Sequence, residues 1–261
     1  MVGCQGCRNG KELGFDFDMA FQPILDTRHG RVWGYEALVR GTAGEGAGEI
    51  LSRVTEENRY VFDQACRVKA IAAAKARFDV PDLYLSINFL PNAVYEPSAC
   101  IRATLEAARL HDFPLSKIMF EFTEDEFIRD TGHINTIVNA YREMGFLTAL
   151  DDFGAGYAGL SRLADTRTDI LKIDMKLIRG IDACGVRRAI VRGLLLMAEG
   201  VGVQLLAEGV ETHDEFLVLS DMGISLFQGY LFGRPSLSGL DSAATLRRVA
   251  NTRPALATRV G

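Results

Sequence analysis

Nowhere in the 261 residues do about 18 apolar residues run together, so no membrane-spanning helix is expected. The first residues lack a basic start leading into an apolar stretch, so no secretory signal is expected either, and the cytoplasm is the expected location. Cysteines are few and odd in number: Cys4, Cys7, Cys66, Cys100 and Cys184. This fits a reducing compartment better than a disulfide framework. Cys4 and Cys7 form one C-x-x-C, half of a structural zinc ligand set with no second pair to complete it. Histidine is scarcer still. His29, His111, His133 and His213 show no metal-ligand pairing, which argues against an imidazole-rich zinc or iron hydrolase. Basic residues are outnumbered, 29 Lys and Arg to 34 Asp and Glu, for a net charge of −5. That argues against a surface that coats DNA or RNA. It leaves room for a small phosphate ligand met by cations that carboxylates hold.

What is present is a globular composition, 48% hydrophobic and 24% charged, in a length suited to one α/β barrel of about 250 residues. The pattern divides the chain into an arm (1–18), a barrel domain (19–250) and a tail (251–261). Ala20–Leu25 and Arg31–Val39 read as strands joined by the turn Asp26–Gly30, too short for anything but an antiparallel pair. Beyond this hairpin, strands and helices alternate. Strands are expected at Leu83–Asn88, Lys117–Glu121, Phe146–Asp151, Asp169–Lys172, Val203–Ala207 and Ile224–Gln228. Helices are expected at Glu49–Arg77, Pro97–His111, Ile134–Met144, Arg187–Glu199, His213–Met222 and Ser238–Val249, with a short segment at Ala158–Leu163. Alternation of this kind means a parallel sheet clothed in helices. Eight strands suggest a single (β/α)8 TIM-like barrel whose first strand is antiparallel, the opening hairpin departing from the regular plan.

The polar residues fall where such a barrel does its chemistry. Glu36, Asn88, Glu121, Asp151 with Asp152, Lys172, Glu208 and Gln228 each sit at or near the end of an apolar strand, and strand ends converge on one face. Any one of them reads as a helix cap or the start of a solvated loop. Seven consecutive strands ending this way would crowd carboxylates that repel unless they bind cations or take up protons. Carboxylates and an amide oxygen are hard ligands suited to Mg²⁺ or Mn²⁺. A pair of such ions can clamp a phosphodiester and activate water. The residues by themselves thus point to a metal-dependent enzyme acting on a phosphate or a carbonyl.

Glu36-Ala37-Leu38-Val39-Arg40 resembles the E-A-L-x-R signature of the EAL family of cyclic di-GMP phosphodiesterases, and Phe21-Gln22-Pro23-Ile24 resembles its opening F-Q-P-I. The other blocks follow in family order: Asn88; Glu121-Phe122-Thr123-Glu124; Asp151-Asp152-Phe153-Gly154-Ala155-Gly156-Tyr157; Leu171-Lys172-Ile173-Asp174; Ala207-Glu208-Gly209-Val210-Glu211-Thr212; and Gln228-Gly229-Tyr230 with Arg234-Pro235. The resemblance implies hydrolysis of cyclic di-GMP to linear 5′-pGpG with two divalent ions, Mg²⁺ or Mn²⁺. Glu36, Asn88, Glu121, Asp151 and Asp152 would hold the metals. Lys172 and Glu208 would position or deprotonate the attacking water. Gln22, Arg40, Glu211 and Gln228 would serve the substrate. The Phe153, Gly154, Ala155, Gly156, Tyr157 loop, anchored by Glu124, would couple the site to a homodimer interface. No nucleic-acid polymer or membrane partner is implied.

Phe89-Leu90 follows Asn88 where many members have x-Ser, and Ala155 and Ala158-Gly159 replace loop hydroxyls. Each lost hydroxyl removes a hydrogen bond worth about 0.5–1.5 kcal/mol. One rival reading is a catalytically weak EAL domain that serves as a cyclic di-GMP receptor or protein-interaction module. Another is a barrel phosphodiesterase for glycerophosphodiesters.

Overall fold

The computed structural model describes residues 13–94, 96–123, 131–156, 159–238 and 240–252. The chain first turns back at Asp26, whose carboxylate accepts the His29 amide (3.2 Å) and meets the His29 Nδ1 (2.6 Å). This folds β1 (Asp18–Asp26) against β2 (Arg31–Arg40) in antiparallel register, from Asp18 opposite Arg40 to Asp26 opposite Arg31. There follow α1 (Ala47–Leu51), α2 (Arg59–Arg77), β3 (Tyr84–Asn88), α3 (Pro97–Cys100), α4 (Arg102–Leu110) and β4 (Ile118–Thr123). Then come α5 (Thr131–Glu143), β5 (Leu147–Phe153), α6 (Gly159–Asp165), β6 (Ile170–Ile173), α7 (Met175–Ile178) and α8 (Gly185–Val201). The chain closes with β7 (Gln204–Ala207), α9 (His213–Asp221), β8 (Leu226–Gln228) and α10 (Ser242–Thr252). The eight strands form a closed barrel in chain order. β1 is antiparallel to both neighbours, β2 and β8, and the pairs from β2 to β8 are parallel. The expected barrel with its opening hairpin is the fold adopted.

The largest departures from the expected helix bounds are at three places. The 49–77 stretch is broken between α1 and α2, because Asn58 ties off a turn there, accepting the Thr55 amide (2.7 Å) and donating to the Arg53 carbonyl (3.1 Å). The 97–111 stretch breaks at Ile101. The last helix starts at Ser242 rather than near Ser238, since Asp241 accepts the Ala244 amide (2.7 Å) and Asp79 grips both the amide and the hydroxyl of Ser242. The short α7, which the sequence pattern does not signal, is capped by Asp174, whose side chain accepts the Lys176 amide (2.9 Å).

Side chains alternate across each strand, so the barrel has an outer apolar layer against the helices and an inner one of its own. The inner layer is a separate buried cluster of Ile24, Trp33, Met119, Ala149, Ile170, Leu206 and Leu226, with Tyr84 and Leu147 packed on it. A bulge between Ile24 and Leu25 leaves Trp33 out of the β1–β2 register, and its indole stacks on Tyr84 with ring centroids 4.2 Å apart. These residues floor the interior. Two positions further along the strands, on the same face, stand Glu121 after Met119, Asp151 after Ala149, Lys172 after Ile170, Glu208 after Leu206 and Gln228 after Leu226. The polar site is thus built directly on an apolar plug.

Candidate active site

At the mouth, Lys172 is the centre of charge. Its ammonium is fully buried and lies 2.5 Å from Glu121 Oε2, 2.8 Å from Glu208 Oε1, 3.1 Å from Asp151 Oδ1 and 3.9 Å from Glu36 Oε2. Burial pulls its pKa down, but Asp151, Glu121, Glu208 and Glu36 more than offset this and hold it well above the usual lysine value. One ammonium does not balance so many carboxylates. Burial, reinforced by Glu36 and Asp151, pushes Glu121 up to about 8 against the pull of Lys172. Burial and Asp151 push Glu208 well above the carboxylate range. Asp152, raised by burial and by Asp151, reaches about 6. A site that makes its own acids hold protons is short of positive charge.

The carboxylates are held in place from several strands. Glu36 lies in mid-strand rather than at the end of β2, which runs on to Arg40 because β1 pairs with it that far. It accepts from Asn88 Nδ2 (2.8 Å) and Gln228 Nε2 (2.6 Å). Ser86 donates to Glu121, and Asn88 stands opposite Glu121 in the β3–β4 register. Asp152 adopts φ +54, a left-handed conformation uncommon outside glycine, and donates its own amide to Asp151 Oδ1 (2.8 Å). That bend brings Asp151, Asp152 and Glu208 together, with one oxygen of each within 4.8 Å of the others. All donors here are hard oxygens, a set that fits a divalent cation such as Mg²⁺ or Mn²⁺. Gln228 Oε1 is buried and has no hydrogen-bond partner among the described residues.

The remaining expected site residues divide. Gln22 joins the cluster by accepting from Gln228 (3.1 Å) and donating to the Gly233 carbonyl (3.1 Å). Arg40 Nη1 donates to the neighbouring Val39 carbonyl (2.6 Å). Glu211 is drawn to Arg179 instead of into the cluster, at 2.7 Å. Arg179 also donates to the Gly209 carbonyl (3.3 Å). Phe153 is buried at the end of β5, Gly154 has φ +95, and the Ala155 amide donates to the Asp152 carbonyl (3.0 Å). Gly156 follows, while Glu124 and Tyr157 lie outside the described residues. Among the described residues, no helix is long and apolar enough to cross a membrane.

The EAL domain family model matches residues 10–235. The chain belongs to the EAL domain family. Its tripeptide, Glu36-Ala37-Leu38, sits in β2 with Glu36 turned to the mouth. A standalone versatile EAL protein from Vibrio cholerae O395, solved with c-di-GMP bound, is 53% identical and superposes with a TM-score of 0.85, over 88% of this chain and 97% of that one. Klebsiella pneumoniae BlrP1, solved as a manganese and cyclic di-GMP complex, is 34% identical with a TM-score of 0.79, over 84% of this chain and 56% of that one. The cyclic di-GMP phosphodiesterase PA2567 of Pseudomonas aeruginosa is 31% identical over 236 residues, 87% of this chain and 39% of that protein. The EAL domain described here spans 30% to 56% of the length of curated relatives that it matches.

One contributor to this EAL site, and one partner that draws Glu211 away from it, carry no expectation from the sequence. Ser86 is two residues before Asn88 and therefore on the same strand face, a signal that was available. Arg179 follows α7 and carries no local mark of its pairing with Glu211.

Proposed function

We propose that this EAL domain is a metal-dependent cyclic di-GMP phosphodiesterase that opens the ring to linear 5′-pGpG with two divalent ions, Mg²⁺ or Mn²⁺. The observation that carries the reading is the meeting of Asp151, Asp152 and Glu208 beside a buried Lys172, with Glu36, Asn88 and Glu121 adjoining. Glu36, Asn88, Glu121 and Asp151 would hold one ion, and Asp151 and Asp152, with Glu208 in reach, the other. Bound there, such ions neutralise phosphate charge and make a water acidic enough to attack.

The chain's own groups do the rest. Glu208 would accept the attacking water's proton once bound cations have driven off the proton that burial and Asp151 make it hold in their absence. Lys172, 2.8 Å from Glu208, keeps that carboxylate aimed. The water oxygen bonds to phosphorus, the bond from phosphorus to the 3′ oxygen breaks, and the 3′ oxygen takes up a proton from solvent. Arg40 turns from the Val39 carbonyl to a phosphate, where its planar guanidinium makes paired hydrogen bonds. Gln22, Gln228 and Glu211 line the substrate's approach. The reading carries with it a homodimer coupled through the 153–157 loop with Glu124, and a cytoplasmic location.

The test is turnover of cyclic di-GMP by the purified protein with Mg²⁺ or Mn²⁺, beside Glu36→Ala and Glu208→Ala. Formation of 5′-pGpG by the wild type and its loss in both variants is the expected result. Nucleotide binding with no product under either ion would make the chain a receptor.

A further inference from the structure

Behind the wall that carries Asn88 and Glu121 lies a buried ion pair. Asp63 and Arg67, four residues apart on α2, sit 2.6 Å from each other with side chains essentially free of solvent contact. The Arg67 guanidinium is boxed by three rings, 5.1 Å from Phe120, 5.5 Å from Phe89 and 5.9 Å from Tyr141, and donates to the Tyr141 hydroxyl (3.0 Å). Such a pair is an expensive element. Two well-packed apolar residues often serve a core as well or better, which leaves room for a role beyond packing.

The other oxygen of the aspartate indicates that role. Asp63 Oδ1 accepts the backbone amide of Leu90 at 2.9 Å, across the outside of the barrel wall. The preceding amide, Phe89 N, donates to the Glu121 carbonyl at 3.0 Å. Both amides directly after Asn88 are therefore fixed, one to the neighbouring strand and one to Asp63. The ring of Phe89 lies over Arg67, and Phe120, another wall of the box, directly precedes Glu121 in β4. Leu90 stands where the family resemblance leads one to look for a serine, so the anchor at this point is the backbone amide.

We propose that Asp63, held in place by Arg67, is a positioning residue for the cation site: by clamping the Leu90 amide it fixes the exit of β3 and with it the direction of Asn88. The proposal rests on the reading of Asn88 as a metal ligand. The guanidinium contributes by pairing with Asp63 Oδ2, which leaves Oδ1 aimed at the Leu90 amide, and the three rings keep water from competing for it.

The experiment compares two double variants that both remove the charges. Asp63→Asn with Arg67→Met keeps an oxygen to accept the Leu90 amide, whereas Asp63→Leu with Arg67→Met does not. Mn²⁺ affinity is measured by calorimetry, and folding by thermal melting in EDTA. The leucine pair should bind Mn²⁺ about 10–100-fold more weakly than wild type, the range typical for lost outer support of a metal ligand, and the asparagine pair should recover most of that loss. Equal Mn²⁺ affinities in both pairs would overturn the proposal. Should either pair fail to fold, hydrogen exchange on the wild type decides. Protection of the Leu90 amide should rise when Mn²⁺ binds, because coupling between two sites is reciprocal. An amide indifferent to Mn²⁺ overturns the clamp. Asn88→Ala separates the layers: if it binds Mn²⁺ like wild type, the ligand reading itself fails.

Discussion

Replacing Lys172 with methionine keeps the length of the side chain and removes the positive charge among Glu121, Glu208, Asp151 and Glu36. Removing one partner of a buried pair costs about 3–5 kcal/mol, since the other charge is left uncompensated. For a chain of this size each kcal/mol moves the melting temperature by about 2–4 °C, so in EDTA at pH 8 Lys172→Met should melt about 6–20 °C below wild type. Two controls follow from the same geometry. At pH 6 the deficit should shrink, because Glu121, raised to about 8 in the wild type, is then protonated there and gains less from the ammonium. Mn²⁺ at a hundred times its dissociation constant for each protein should raise both by about 2.7 kcal/mol, which in the variant offsets part of the loss seen in EDTA. Calorimetric melting of both proteins under the three conditions is the assay. A variant that melts within about 2 °C of wild type in EDTA at pH 8 would refute the claim that Lys172 balances the cluster.

Wild type in EDTA should itself lose stability as the pH rises from 6 to 8. A carboxyl raised in the folded chain contributes stability below its unfolded value and loses it as the pH climbs through its folded value, which for Glu121 is about 8. Saturating Mn²⁺ should flatten that slope, and a melting series that rises with pH in EDTA would contradict it. Gly209→Ala, at φ +63 with the added Cβ 2.5 Å from Met175 Cβ, should cost about 1–3 kcal/mol and lower kcat through displacement of Glu208, as steady-state kinetics and melting would show. Trp33→Ala, in the apolar floor, should destabilise by about 3–5 kcal/mol in denaturant titration while leaving calorimetric Mn²⁺ affinity near wild type.

The barrel and most of its mouth were legible because both follow from a period of two. An apolar residue facing inward predicts that the residue two further on also faces inward, so Met119 and Glu121, or Ile170 and Lys172, mark floor and site on one strand. The helix breaks were not legible, since Val54 keeps the apolar period running through the turn that Asn58 closes. Glu211 was read into the site from its block, but its partner Arg179 is 32 residues earlier and nothing local announces the pair. Asp63 and Arg67 show the same limit from the other side. Four apart on a helix, they have the spacing of a solvated surface pair, and only the packing of β3, β4 and α5 over them makes them internal.

The reversed first strand has a topological consequence. In a barrel whose strands all run the same way, the polypeptide enters by the floor, opposite the chemistry. Here β1 begins at Asp18, paired with Arg40 at the mouth-side end of β2, and runs down to Asp26 beside the bottom of β8. The thread therefore comes in over the rim, with Phe17 stapled to Phe62 of α2 (ring centroids 5.2 Å apart) just before it descends. A pull or twist applied ahead of Asp18 would be delivered along β1 through Gln22 to its partner Glu36, giving an upstream tether a short mechanical lever on the carboxylates.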